Sequence, residues 1–174
     1  GKISSENQTS NIKFEHPELW WTFDHGEPYL YTAKLVITGA DETIIDQKIS
    51  KIGFRKAELV MHEGAWREPS GFPKSRSTPP FTMRLNNKVV FAKGSNWVHP
   101  EIFYGTITKE RYLEQLLLTK ELNMNMLRIW GGGITNKESF FEICDSLGIM
   151  VWQEFPLACN PYPNDPHYLN ILEQ

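Results

Sequence analysis

The spacing of apolar positions changes character near the middle of the chain. Tyr31, Ala33, Leu35 and Ile37 alternate with Thr32, Lys34 and Thr38, the period of two that marks a half-buried strand. Gly39 to Glu42 supplies a turn, and Thr43 to Ile49 returns as a second strand. Ala57, Leu59 and Met61, alternating with Lys56, Glu58 and Val60, predict a third. Short strands joined by tight turns predict an antiparallel sandwich over residues 1–61. About four strands are present, fewer than a closed sandwich uses, so the expected domain is partial and lacks its N-terminal portion. Residues 1–13 are polar and read as a frayed edge.

Residues 62–80 carry Pro69, Pro73, Pro79 and Pro80 with Gly64 and Gly71. Proline removes backbone donors and fixes φ, so this stretch predicts a linker or long surface loop rather than a helix or central strand. Trp66 and Phe72 within it serve either as anchors or as part of a binding surface.

From Phe81 the pattern alternates between short apolar runs and helical periodicity. Thr82–Leu85, Asn86-Asn87 and Lys88–Ala92 predict a hairpin whose two-residue turn tolerates positive φ. The returning strand runs on through Lys93 to Trp97. Thr108 is placed to cap a helix reaching about Leu122, with Leu113, Leu116, Leu117 and Lys120 on or near one stripe. Met126 to Trp130 is a short apolar strand. Asn136 is placed to cap a second helix, in which Phe140, Cys144 and Leu147 recur at i, i+4 and i+7 and Gly148 ends the run. Ile149 to Trp152 forms a third strand continuing to Phe155, and Asp165-Pro166 opens a third helix. Strand and helix alternating three times predict parallel α/β units over residues 81–174.

Composition narrows the possible functions. A net charge of −3 and a pI near 6.0 over 174 residues leave no basic stripe, which argues against nucleic acid as a partner. No apolar run approaches the ~18 residues of a membrane span, and the polar start shows no signal peptide. Asn7-Gln8-Thr9 fits a glycosylation sequon, from which nothing follows. Cys144 and Cys159 stand in apolar surroundings on separate elements and read as buried free thiols. No pattern in the chain calls for a metal or cofactor. Aromatic residues make up 13%, with six Trp and ten Phe, a content that suits flat ligands and large cores alike.

In parallel α/β folds the chemistry sits at the carboxyl ends of strands. Those ends here are Asn96-Trp97, Arg128-Ile129-Trp130 and Trp152-Gln153-Glu154. Each pairs a tryptophan with a polar or charged neighbour. Indole faces stack on the C–H faces of sugar rings, while Asn, Gln, Glu and Arg pair with hydroxyls, so the set fits a saccharide pocket. The competing account is that the tryptophans are core and Arg128 a structural ion pair. After the second strand, Gly131-Gly132-Gly133 permits a sharp turn or a close backbone approach.

Several stretches resemble glycoside hydrolase family 2. Glu18-Leu19-Trp20-Trp21, Gly26-Glu27-Pro28-Tyr29-Leu30-Tyr31 and Ile52-Gly53-Phe54-Arg55 look like the end of that family's immunoglobulin-like domain. Lys93 to Trp97, Asn125 to Gly133 and Val151 to Phe155 look like the first three strands of its TIM barrel. The triple glycine and Ala158-Cys159-Asn160-Pro161-Tyr162-Pro163 are most similar to the β-mannosidase branch. Two departures stand out: Glu154 occupies a position where Asp is expected in many β-mannosidases, and segment 62–80 is longer than usual. The resemblance implies a partial immunoglobulin-like β-sandwich over 1–61, a linker or loop over 62–80, and the start of an incomplete (β/α)8 TIM barrel over 81–174.

The resemblance also implies a retaining hydrolase of β-linked mannosides or related oligosaccharides, in a periplasmic, secreted or lysosomal setting. Trp130 would lie against the sugar and Arg128 near the nucleophile. Glu154 would contact a hydroxyl or support a neighbour, and Asn96 and Trp97 would line the rim. Such enzymes use two carboxylates. In this family one is the Glu of an Asn-Glu pair closing the fourth strand, and the second follows later. Neither is matched here, so an internal fragment inactive by itself is the expectation, with the remainder of the parent chain as its partner. Other family 2 activities (β-galactosidase, β-glucuronidase, exo-β-glucosaminidase) share the scaffold. A non-catalytic carbohydrate-binding protein with an exposed Trp20-Trp21 pair is a further reading, and Glu101 with Glu154 as a local acid pair a third.

Overall fold

The structure is a computed structural model, and it describes residues 11–65 and 80–173. The Asn7 sequon, Trp66, Phe72 and most of segment 62–80 lie outside the described residues. Two antiparallel sheets precede three parallel β/α units.

β1 (Tyr31–Thr38) and β2 (Ile44–Ile52) pair antiparallel, from Tyr31 opposite Ile52 to Ile37 opposite Asp46. β3 (Ala57–Met61), β4 (Phe81–Leu85) and β5 (Lys88–Val89) form a second antiparallel sheet in that order. Among the described residues β1 and β2 form a two-stranded antiparallel ribbon. β3 pairs instead with β4, Ala57 opposite Leu85 and Met61 opposite Phe81. The hairpin turn forms as predicted, with Asn86 and Asn87 at φ 50° and 67°.

β6 (Gly94–Trp97), β7 (Met126–Ile129) and β8 (Met150–Gln153) are parallel and adjacent in that order. α1 (Lys109–Glu121), α2 (Glu138–Leu147) and α3 (Pro166–Leu172) follow them in turn. Successive strand residues face opposite sides, so Trp97, Leu127 and Ile129 turn toward the helices. There they form a core with Tyr112, Leu116, Phe140, Ile143, Cys144 and Ile149. Trp97 lies 4.9 Å and Tyr112 5.5 Å from the Phe140 ring, centroid to centroid. Truncating a buried aromatic of this kind costs about 3–5 kcal/mol.

Thr108 caps α1 by accepting from the Arg111 amide at 3.2 Å, and Asp165 caps α3 by accepting from His167 and Tyr168. Three expectations need correction. The buried stripe of α1 is Tyr112, Leu116 and Thr119, whereas Leu113 and Leu117 sit one residue further round and remain exposed. Lys137, not Asn136, occupies the cap position of α2. The Asn136 side chain is buried and accepts from the Trp97 indole N–H at 3.3 Å, because Trp97 needs a partner once it is in the core. Cys144 is buried as expected, and burial with the neighbouring Asp145 charge pushes its thiol pKa up. Cys159 is exposed, since it follows the last strand in the loop before α3.

The segment preceding β1 docks onto the β/α units. Trp20 is buried with Leu85 and Val90, and its indole donates to the Asp145 carbonyl at 2.7 Å. Arg55 stacks 4.4 Å above that indole and pairs with the Asp145 carboxylate at 2.7 Å. A second tie forms at the amino end of the parallel strands. Asn125 is fully buried, accepting from the Lys93 amide and donating to the Asp24 carboxylate and the Phe91 carbonyl. Lys93 Nζ lies 2.9 Å from that carboxylate. Burial works to raise the Asp24 pKa, but hydrogen bonds from Lys93, His25, Thr22 and Asn125 prevail and hold it well below the ordinary carboxylate range.

Candidate saccharide-binding site

The side of the parallel sheet away from the helices carries the polar residues. Register places Asn96 beside Arg128 and Arg128 beside Trp152. The three line a cavity of about 300 Å³ together with Gly94, Ser95 and Met126. Gly94 permits the close pairing here, because a Cβ at that position would sit 1.8 Å from the Met126 carbonyl oxygen.

Arg128 is held from both neighbouring strand ends. Its Nε donates to Glu154 Oε1 at 2.6 Å, with Nη2 2.5 Å from the same oxygen. Its Nη1 donates to Asn96 Oδ1 at 3.0 Å. A guanidinium carries five N–H bonds, so at least two remain for a carboxylate or a hydroxyl. Glu154 follows directly after β8, where its amide extends the ladder by donating to the Ile129 carbonyl at 3.0 Å. Its second oxygen, Oε2, accepts from the Gly131 amide at 2.9 Å. One carboxylate therefore joins the arginine of β7 to the glycine turn that follows it.

Trp130 leaves the end of β7 with 37% of its surface exposed. Its indole folds back over Gly132, where an added Cβ would stand 2.1 Å from the ring. The turn closes through the Gly133 amide, which donates to the Trp130 carbonyl at 2.8 Å. The middle glycine thus serves close approach of a side chain, and none of the three adopts positive φ. The His99 ring also stands beside this turn, 3.3 Å from the Cβ position of Gly133, and packs edge-on to Tyr104.

Of the five residues expected at the site, Asn96, Arg128 and Glu154 are joined by hydrogen bonds, and Trp130 stands on the turn that Glu154 holds. Trp97 is a correction: as the next residue after Asn96 it points to the helix side, 6% exposed in the core. Trp152 takes the place beside Arg128, with Phe81 6.0 Å away. The Gly131 amide was not expected to take part, since no side-chain pattern marks a backbone donor. Glu101 faces Arg111 at 3.3 Å and Glu154 faces Arg128, so each carboxylate is committed to its own arginine rather than to an acid pair. Among the described residues no cluster of His, Cys, Asp and Glu is suited to a metal ion, and no helix is long and apolar enough to cross a membrane.

Antiparallel sheets thus lead into parallel β/α units that carry an Asn–Arg–Glu row at their strand ends. Residues 1–55 match the model of the glycosyl hydrolases family 2, and over nearly all of its length the chain is similar to β-mannosidases. It is 34% identical to β-mannosidase B of Aspergillus oryzae over 97% of this chain and 19% of that protein. It is 33% identical to the β-mannosidase of Bos taurus over 96% and 20%. The crystal structure of β-D-mannosidase from Dictyoglomus thermophilum superimposes with a TM-score of 0.76 at 38% identity, covering 93% of this chain and 19% of that one. The chain thus spans about one fifth of the length of the curated relatives it matches.

Proposed function

We propose that this chain is one part of a retaining β-mannosidase and supplies one wall of its sugar pocket, at the carboxyl end of the first three strands of a (β/α)8 barrel. Residues 1–61 then belong to an immunoglobulin-like domain and residues 81–174 to the barrel, with 62–80 between them. The supporting observation is the row Asn96–Arg128–Glu154 at adjacent strand ends, flanked by Trp130 and Trp152. Arg128 offers its free N–H bonds toward the substrate side, where they suit a carboxylate nucleophile or a sugar hydroxyl. Trp130 offers an indole face to the C–H face of the sugar. The substrate is a β-linked mannoside or a related oligosaccharide, cleaved at its non-reducing end, in line with the β-mannosidases among the chain's relatives.

Hydrolysis with retention needs two carboxylates about 5–5.5 Å apart. Glu154 and Glu101 each serve an arginine, so both catalytic groups are assigned to other parts of the full-length protein. The 174-residue chain alone is then inactive. Assaying an aryl β-mannoside with the full-length protein and with this chain tests the reading. Turnover by the former and none by the latter is expected, and turnover by the chain alone would overturn it.

A further inference from the structure

We infer that Glu154 is a positioning residue: it acts through Arg128 and the Gly131 turn, and not by touching the sugar. This rests on the saccharide-site reading above. Both oxygens of the carboxylate are committed within the protein. Oε1 meets Nε and Nη2 of Arg128, and Oε2 meets the Gly131 amide. These contacts span the gap between β8, where Glu154 is anchored by its own amide to Ile129, and the turn carrying Trp130. The single side chain thereby fixes two substrate-facing groups at once. It sets the plane of the guanidinium, whose opposite edge is held by Asn96, and it pins the first glycine of the turn over which the Trp130 indole lies.

The chemistry needs a carboxylate. A charged acceptor forms stronger, shorter bonds to a guanidinium than a neutral one, and only an acceptor on both oxygens satisfies N–H donors from two directions. Glutamine at this position keeps the shape but offers one acceptor and one NH₂ group. It must abandon either Arg128 or Gly131, and the abandoned group shifts. Aspartate is shorter by one methylene and keeps one of the two contacts, not both.

The test has a readout independent of catalysis. In the ¹H–¹⁵N spectrum, E154Q should move the Gly131 amide proton upfield and shift the Arg128 Nε–H resonance. Unchanged positions for both would overturn the proposal. In the full-length enzyme, E154Q should lower kcat for an aryl β-mannoside by about 100-fold, the size expected for an ångström-scale misplacement, with KM changing less than about threefold. The loss should be the same for the parent substrate and its monodeoxy analogues. A loss that disappears with one particular deoxy-mannoside would mean a direct sugar contact and overturn the proposal.

A cycle with R128K adds the decisive comparison. Because part of the effect of Glu154 runs through Arg128, E154Q should cost several-fold less on that background than in the wild type, the remainder reporting the Gly131 contact; fully additive losses would contradict the assignment. E154D provides a milder variant should E154Q fold poorly, with an intermediate loss expected and wild-type values overturning the idea. An inactive wild-type enzyme would remove the mannosidase reading while leaving the spectroscopic test of Glu154 intact.

Discussion

The β1–β2 ribbon and the β6–β7–β8 sheet make opposite use of similar raw material. The ribbon has the longer strands and the cleaner alternation, yet Leu35 is 64% and Ile49 60% exposed. The parallel strands are four residues each, and Trp97, Leu127 and Ile129 on their helix side are at most 6% exposed. Alternation specifies which residues share a face of a strand. It does not specify that a second layer will cover that face. Helices α1 and α2 supply the covering layer for the parallel sheet, whereas β2 faces them only across an open cavity and Ile49 on its wall stays exposed. Stability is accordingly concentrated in the β/α units, and that is where the polar row is held in place.

The sharpest way to break this contrast is at Gly94. A Cβ there collides with the Met126 backbone carbonyl, which cannot swing aside as a side chain could, so G94A should destabilise the chain by at least about 4 kcal/mol as measured by denaturant unfolding. A loss below about 1 kcal/mol would mean that the β6–β7 pair is looser than described.

Asp24 tests how firmly the N-terminal segment is tied to the β/α units. D24N replaces a largely covered carboxylate bonded by Lys93 and Asn125 and should cost about 2 kcal/mol at neutral pH. The sign with pH follows from the lowered pKa. A carboxylate that is more acidic in the folded state stabilises fully above its unfolded pKa of roughly 4. That contribution is lost progressively as pH falls below this value toward the folded pKa. The gap between wild type and D24N should therefore be constant from pH 6 to 8 and narrow below pH 4. A gap that widens on acidification would contradict the tie.

The smallest effect is expected on the ribbon. L35T and I49T change exposed side chains and should each move the stability of the 174-residue chain by under about 0.5 kcal/mol. Larger losses in the same measurement would show that the ribbon is covered after all.

What could be read from the chain follows the same division. Features decided within a few residues were legible: the Asn86-Asn87 turn, the Thr108 and Asp165 caps, the order of the β/α units and the Asn96, Arg128 and Glu154 strand ends. Features decided by distant partners were not. β3 pairs with β4 across some twenty intervening residues, which no local pattern reports. Leu113 and Leu117 look as apolar as Leu116, and only the position of the sheet selects Tyr112, Leu116 and Thr119 for burial. Trp97 and Trp152 are alike in sequence context. The strand register sends one into the core and the other beside Arg128.

The central claim is that Arg128, clamped between Asn96 and Glu154, faces the substrate of a β-mannosidase. The most direct test is R128A in the full-length protein, read as kcat/KM on an aryl β-mannoside alongside the melting temperature. The account predicts a fall of about 1,000-fold with the melting temperature within a few degrees of wild type, because the guanidinium is partly exposed and outside the apolar core. Wild-type activity in a folded R128A protein would contradict it.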